Sequence, residues 1–255
     1  MASVMRRSPG CVVLAIGTLV VGVAPCLAGP PFLTDDPEPV ELRYNEFYVF
    51  GTLDHAGEAS AITGPAIEYN RGIAPNTQFH VVVPMAWNVP NHGADSTGLG
   101  DIELGIKYRF VNLDDDALQM GVFPMVELAT GSAQRGLGNG HTWYRLPLWV
   151  QKSVGAWTFD GGGGFIVNPA PGMVDASFGG VLAQHAFSPR WTLGVELFRQ
   201  NALAADQPGY TLLNAGGYLN FPQHFCLLFS AGGSIAGARH TVAYLGLYWT
   251  WASTH

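Results

Sequence analysis

The sequence predicts an all-β protein: an antiparallel transmembrane β-barrel of about 12 strands that follows a cleaved N-terminal signal peptide. Three observations lead there: the chain has few charges, hydrophobic residues alternate with period two, and the alternating segments are long. Charged residues make up 12% of the 255 residues and hydrophobic residues 48%, whereas soluble domains carry roughly 25% charged residues. This composition excludes a disordered chain. The 12 Lys+Arg against 19 Asp+Glu argue against a nucleic-acid partner.

The first segment has the pattern of a secretory signal peptide. Arg6 and Arg7 precede an uncharged apolar run over residues 11–24, and Ala28 provides a small residue for cleavage. A retained anchor helix is the alternative, but a membrane-spanning helix needs about 20 apolar residues. We therefore expect residues 1–28 to be removed on export. Residues 29–39 then form an extended N-terminal segment, and residues 40–255 form the barrel.

Alternation of apolar and polar residues predicts the strands that follow. The clearest case lies in residues 100–110, where Ile102, Leu104 and Ile106 alternate with Asp101, Glu103 and Lys107. Membrane-spanning strands need about 9–11 residues, whereas soluble strands average about 5–6. Twelve segments, most of 10–14 residues, fit the membrane class: 40–53, 59–70, 77–90, 99–111, 118–130, 142–153, 157–168, 173–187, 191–201, 210–221, 225–235 and 240–251.

The connections and the aromatic residues support a barrel in the outer membrane. The connections after odd-numbered segments are longer on the whole than those after even-numbered ones, as expected for outer loops and periplasmic turns. Aromatic residues beside the short turns are expected to lie at one membrane interface. These residues are Tyr108, Phe110, Trp157, Trp191, Phe221, Phe225, Trp249 and Trp251. A soluble periplasmic barrel remains the alternative fold.

Four prolines fall inside predicted strands, where each lacks an N–H for the ladder. They are Pro65, Pro84, Pro124 and Pro147. We expect them at bulges or at strand limits that the alternation misplaces.

Several stretches resemble a known bacterial family, the MetA-pathway of phenol degradation family. They are residues 29–41 (GPPFLTDDPEPVE), 97–110 (TGLGDIELGIKYRF), 126–131 (VELATG), 135–140 (RGLGNG) and 143–152 (WYRLPLWVQK). The resemblance covers essentially all of residues 29–251 and implies a transporter-like outer-membrane β-barrel with a link to aromatic degradation. One departure concerns the C-terminus, because four residues follow Trp251. Recognition by the barrel-assembly machinery would then depend on Trp249 or Trp251.

The alternation also predicts which residues face the barrel lumen. The expected lumen-lining residues are Glu68, His80, Asp101, Glu103, Lys107, Arg109, Glu127, Arg145, Asp160, Asp175, His185 and Glu196. One interpretation is a water-filled path whose acidic excess mildly favours cations. The other is an ion-pair network that neutralises itself and blocks the bore. The apolar pair Phe32-Leu33 further suggests that residues 29–39 enter the bore as a plug.

The predicted function is passive uptake of small solutes, aromatic compounds among them, through a porin-like channel in the outer membrane of a Gram-negative envelope. The alternative is a non-conducting barrel with a structural or surface-binding role.

Catalysis is not expected, because the sequence contains no Gly-x-Ser-x-Gly motif and no evident Ser–His pair. Neither a cofactor nor a metal ion is predicted. Residues 161–164 (GGGG) lack the Lys-Ser/Thr of a phosphate loop, and residues 114–116 (DDD) offer too few oxygens for calcium. The expected partners are outer-membrane lipid, the barrel-assembly machinery and a small solute.

Overall fold

The computed structural model of the chain describes residues 31–57, 59–113, 117–222 and 225–253. The predicted signal peptide and the acidic run at 114–116 lie outside the described residues.

In this described part of the chain, fourteen strand segments run antiparallel around one sheet. They are β1 (Tyr44–Ala56), β2 (Ala59–Ala74), β3 (Thr77–Pro90), β4 (Ser96–Leu99), β5 (Ile102–Leu113), β6 (Leu118–Val122), β7 (Met125–Leu128), β8 (Trp143–Val154), β9 (Trp157–Val167), β10 (Ala176–Ala186), β11 (Trp191–Gln200), β12 (Tyr210–Phe221), β13 (Phe225–Gly237) and β14 (His240–Ala252). The sheet closes because β1 pairs with β14 over its whole length. Closure leaves no unpaired edge, which a lipid environment requires.

The fourteen segments make twelve barrel strands. β4 and β5 both pair with β3 and together form one strand. β6 and β7 both pair with β5 and with β8, and they form another. The predicted antiparallel barrel of about 12 strands is therefore confirmed.

Prolines account for much of the irregularity. The gap between β4 and β5 lies opposite Pro84, whose carbonyl accepts a hydrogen bond from the Gly100 N–H at 3.0 Å. Pro124 separates β6 from β7, and the β2–β3 register shifts between Thr63 and Ala66, on either side of Pro65. Pro147 remains within β8, opposite Gly164. The predicted strands 99–111 and 118–130 thus each consist of two segments, because a missing N–H interrupts the ladder.

The outer face of the barrel is apolar. Along β11, Leu193, Val195 and Leu197 are exposed, while Glu196 and Phe198 between them are buried. The same alternation runs along most strands, so large apolar side chains surround the barrel. An apolar surface of this extent is typical of a membrane-facing belt. No helix in the described part of the chain is long and apolar enough to cross a membrane.

The two ends of the barrel differ in their connections. We call the end with the turns β2–β3, β5–β6, β8–β9, β10–β11 and β12–β13 the short-turn end, and the opposite end the long-loop end. The longest connection, residues 129–142, contains a single 3-10 turn at Ala133–Arg135. This loop bends over the lumen at the long-loop end, where the side chain of the inward-facing Asn88 donates a hydrogen bond to the Arg135 carbonyl at 3.4 Å.

Candidate functional site in the barrel lumen

The N-terminal segment, described from Pro31 onward, lies inside the barrel. The backbone N–H groups of Leu33 and Thr34 donate to the carboxylate of Glu196, which is fully buried on the inner face of β11. The Ser230 hydroxyl on β13 donates to the Pro31 carbonyl. A carboxylate that accepts two backbone N–H groups makes strong, charge-assisted hydrogen bonds. These contacts fix the start of the segment against the wall formed by β11 and β13.

A second set of contacts holds the middle of the segment against the opposite wall. The Lys107 ammonium lies 3.2 Å from the Asp35 carboxylate and 3.3 Å from that of Asp36. The Gln78 side-chain oxygen accepts from the Val40 N–H at 2.8 Å. Burial raises the pKa of the Asp36 carboxyl well above its ordinary value, and the nearby Lys107 ammonium opposes that shift. The segment therefore crosses the lumen from β11 to β3 and β5.

Glycines make room for the segment where it touches the wall. A Cβ on Gly180 would collide with the Thr34 hydroxyl, and one on Gly121 would lie 3.1 Å from the Pro37 Cβ. Pro37 and Thr34 are themselves fully buried. The wall and the segment are thus in van der Waals contact, with glycine at the points of closest approach.

A cavity of about 200 Å³ remains beside the segment. One side is the polar wall, formed by inward-facing residues of β1, β2, β3 and β5. The other side is the aromatic wall, formed by inward-facing residues of β8 to β12 with Phe123 and Met125. The cavity is lined by Glu46, Glu68, His80 and Glu103 from the polar wall and by Arg145 and Trp149 from the aromatic wall.

The carboxylates of the polar wall are held by donors within the barrel. His80 lies between two of them: its Nε2 is 2.8 Å from Glu103, and its Nδ1 is 3.5 Å from Glu68. Nδ1 also lies 2.7 Å from the Asn70 side-chain oxygen. Glu46 accepts hydrogen bonds from the hydroxyls of Tyr48 and Tyr248, at 3.0 and 2.9 Å. This wall is acidic, but each of these carboxylates already has a donor.

The aromatic wall packs mainly against itself. The Phe178 ring centroid lies 6.1 Å from those of both Trp149 and Phe198, and all three side chains are buried. Gly162 faces Trp149, and a Cβ there would lie 2.8 Å from the indole ring. The glycine run at 161–164 thus allows close approach between neighbouring groups and leaves space for a large inward side chain.

Most of the predicted lumen residues do face inward. Glu68, His80, Glu103 and Lys107 belong to the polar wall and its contacts with the segment. Asp160 accepts from Gln151 and Gln184, each at 3.0 Å. The remaining inward-facing predictions are Arg109, Glu127, Arg145 and Glu196.

Three predicted residues lie elsewhere. His185 faces outward on β10, where its ring packs 4.5 Å from that of Trp157 and 4.6 Å from that of Phe187, so its assignment to the lumen is wrong. Asp101 accepts from the backbone N–H groups of Gly131 and Asn139, and it anchors the 129–142 loop. Asp175 is exposed before β10 and accepts from the Asn168 N–H at 3.0 Å. Both aspartates organise loops rather than line the central cavity.

The alternation also missed several inward residues. Glu46 lies in the first predicted strand, and extending the alternation through β1 would have placed it inside. Trp149 shares the inward face of β8 with Arg145, and Phe198 shares that of β11 with Glu196, so the same alternation places both rings inside. The buried Phe178 had no such signal, because both faces of β10 are largely apolar.

All eight predicted interface aromatics face outward near the short-turn end. Phe221 and Phe225 have ring centroids 5.7 Å apart, and Phe225 and Trp249 are 6.4 Å apart. Such a ring of aromatic side chains at one end is typical of a membrane interface. Among the described residues, no group of His, Cys, Asp and Glu is arranged to hold a metal ion.

Comparison with known proteins identifies the fold. No family model matches the chain, and no curated protein does. The structure resembles the COG4313 outer membrane channel from Pseudomonas putida F1, with a TM-score of 0.72 and 14% identity over 85% of this chain and 98% of that one. It also resembles the beta domain of the Bordetella autotransporter BrkA (TM-score 0.51, 9% identity, 81% and 99% covered). A third likeness is to the translocator domain of the autotransporter NalP from Neisseria meningitidis (TM-score 0.50, 12% identity, 80% and 88% covered). The chain therefore has the fold of an outer-membrane β-barrel.

Proposed function

We propose that the protein is a passive outer-membrane channel for small solutes, with the N-terminal segment as its constriction. The observation that supports this most directly is the cavity beside the segment, inside a closed barrel whose outer face is apolar. Diffusion through a polar bore needs no catalytic group and no cofactor. The resemblance to a barrel described as an outer membrane channel points in the same direction.

The segment sets the width of the bore in this proposal. It touches the wall on both sides, through Glu196 on β11 and Lys107 on β5. A solute must therefore pass through the cavity beside the segment or displace the segment. Charge–charge and backbone contacts of this kind can open without unfolding the barrel, because the segment belongs to no strand.

Charge in the lumen gives the channel its expected selectivity. The inward carboxylates outnumber the inward ammonium and guanidinium groups, even though several are hydrogen-bonded. A ring of acidic side chains favours small cations over anions. We expect a mild preference rather than a strict filter, because His80 and Lys107 offset part of the negative charge.

The solute class and the assembly route rest on sequence resemblance. Membership of the MetA-pathway of phenol degradation family would make aromatic compounds the natural solutes. We also propose that the barrel-assembly machinery recognises β14 through the outward-facing Trp249 and Trp251, since β14 closes the barrel against β1. Residues 1–28 would direct export and be removed in the course of it.

Planar-bilayer recordings test the channel itself. We expect single-channel steps from the purified chain at both low and high salt. Deletion of residues 29–39 should increase the conductance several-fold, because the segment occupies the bore. Absence of steps from both the wild type and the deletion variant would favour the alternative of a non-conducting barrel. Steps of unchanged size after the deletion would refute the constriction but leave the channel in place.

Liposome swelling identifies the solutes. A panel of sugars, amino acids and phenolic acids separates a general pore from one that prefers aromatic compounds. Faster swelling with phenolic acids than with sugars of equal mass would support the link to aromatic degradation. Equal rates would argue against that link without affecting the channel.

A further inference from the structure

Two donors that line the cavity have no protein partner. In the part of the chain that the structure describes, the Arg145 guanidinium makes no hydrogen bond and no ion pair, and its Nε is buried. The Nε1–H of Trp149, a side chain only 2% exposed, is also buried without an acceptor. Buried polar groups in native proteins nearly always have a partner. Both groups belong to side chains of β8 that line the same cavity, so a bound molecule with oxygen acceptors would satisfy them.

The other cations of the lumen contrast with Arg145. Lys107 lies between Asp35 and Asp36, and His80 lies between Glu68 and Glu103. Their charges are already matched. Arg145 instead lies over the Phe178 ring, with its guanidinium carbon 5.2 Å from the ring centroid. It thus forms no direct ion pair at the border between the polar and aromatic walls, although its charge interacts at longer range with the carboxylates of Glu103 and Glu127.

The residues around these two donors determine which non-polar group the ligand can carry. Phe32 and Leu33 of the segment, with Phe123 and Met125, line the same cavity. Its volume of about 200 Å³ exceeds the roughly 150 Å³ that suffices for benzene in an apolar cavity. An apolar group the size of one ring fits beside the guanidinium.

We propose that Arg145 and Trp149 form a binding subsite for a small monocarboxylate with an apolar, ring-sized body. The carboxylate binds the Arg145 guanidinium, and the Trp149 N–H is a second donor on the same wall. Guanidinium–carboxylate pairs are strong because their hydrogen bonds are charge-assisted. The proposal rests on the proposed channel, for which it names a class of solute that pauses in the bore.

Calorimetric titration of the full chain in detergent tests the subsite without requiring transport. Three probes share a cyclohexyl body and carry an anionic, a neutral or a cationic polar group: cyclohexanecarboxylate, cyclohexylmethanol and cyclohexylmethylammonium. We expect the carboxylate to bind about tenfold more tightly than the alcohol, as one charge-assisted hydrogen bond would provide. Tighter binding of the ammonium probe would overturn the proposal, since it would show that the acidic wall dominates. Equal binding of carboxylate and alcohol would overturn it too.

Four variants locate the effect. Arg145→Gln should abolish the preference for the carboxylate, and Arg145→Lys should retain part of it because the charge remains. Trp149→Phe should weaken it less, since it removes the N–H and part of the indole ring but leaves the Arg145 charge in place. Lys152→Gln is the matched control, because it removes a cation from the exposed outer face of the same strand. A preference that survives Arg145→Gln in a folded barrel, as judged by heat-modifiable gel mobility, refutes the subsite.

The proposal and the channel fail separately. Binding with the expected preference but no single-channel steps would leave the subsite intact and refute the channel. Normal conductance with no carboxylate preference would do the reverse.

Discussion

The polar wall and the aromatic wall face each other across one lumen but are stabilised in different ways. On the polar wall, each of two buried cations lies between two carboxylates: His80 between Glu68 and Glu103, and Lys107 between Asp35 and Asp36. On the aromatic wall, rings such as Phe178 and Phe198 pack against each other. Pairs of charges demand specific partners, whereas rings demand only a complementary shape. The cavity lies between the two walls because neither kind of contact fills the space where they meet.

The largest expected effect lies in the aromatic wall. Phe198→Ala removes a ring that is only 1% exposed, and such truncations cost about 3–5 kcal/mol of unfolding free energy. Urea unfolding of the barrel in lipid vesicles measures the loss. Phe165→Ala on the outer face is the control: its ring is 65% exposed and faces lipid, so its truncation loses the transfer term but leaves no internal cavity and should cost less. Equal losses for the two variants would mean that the aromatic wall does not behave as a packed core.

The next effect lies in the charge pairs between the polar wall and the segment. Lys107→Met leaves Asp35 and Asp36 without a cation, and breaking a buried pair in this way costs about 3 kcal/mol. Unfolding measurements should show the loss, and the triple variant with Asp35→Asn and Asp36→Asn should recover most of it. If the triple variant is as unstable as Lys107→Met, the ion pairs are not what holds the segment.

A steric change tests the contact between the segment and the aromatic wall. Gly180→Ala places a methyl group against the Thr34 hydroxyl and near Phe198, and overpacking of this kind costs about 1–3 kcal/mol. We expect lower stability together with larger or noisier conductance, because the segment must shift. Adding Thr34→Ala should restore part of both. Wild-type conductance from Gly180→Ala would show that the bore is not controlled at this contact.

The smallest expected effect is on a hydrogen bond of the polar wall. Glu46→Gln keeps an oxygen that can accept from Tyr48 or Tyr248 but removes the charge. We expect a loss of about 1 kcal/mol, the difference between a charge-assisted and a neutral hydrogen bond. Urea unfolding measures this as well, with Glu46→Leu as the comparison. A loss from Glu46→Gln as large as that from Glu46→Leu would indicate that the charge itself is essential.

Prediction from sequence worked where one face of a strand is polar. In β5, Glu103 and Lys107 alternate with Ile106 and Tyr108, so the inward side follows directly from the period of two. It failed in β10, where Leu182 faces inward and Val181 outward. Both faces of β10 are apolar, so the pattern does not say which side holds His185. The sequence predicted only irregularities at Pro84 and Pro124, not the gap between β4 and β5 opposite Pro84 or the gap between β6 and β7 at Pro124. The missing N–H of a proline does not specify how the neighbouring strand pairs around it.

The sequence alone determined the closed antiparallel barrel, its outer belt and most of its lumen residues, because alternation and strand length are local properties. Tertiary structure decided what fills the lumen. Glu196 and Thr34 are 162 residues apart in the chain, and no local pattern predicts that they meet. That the buried Nε of Arg145 has no hydrogen-bond partner is likewise known only from the positions of all its neighbours in the folded barrel. Pairing between distant residues depends on barrel closure and register, which the whole chain sets together.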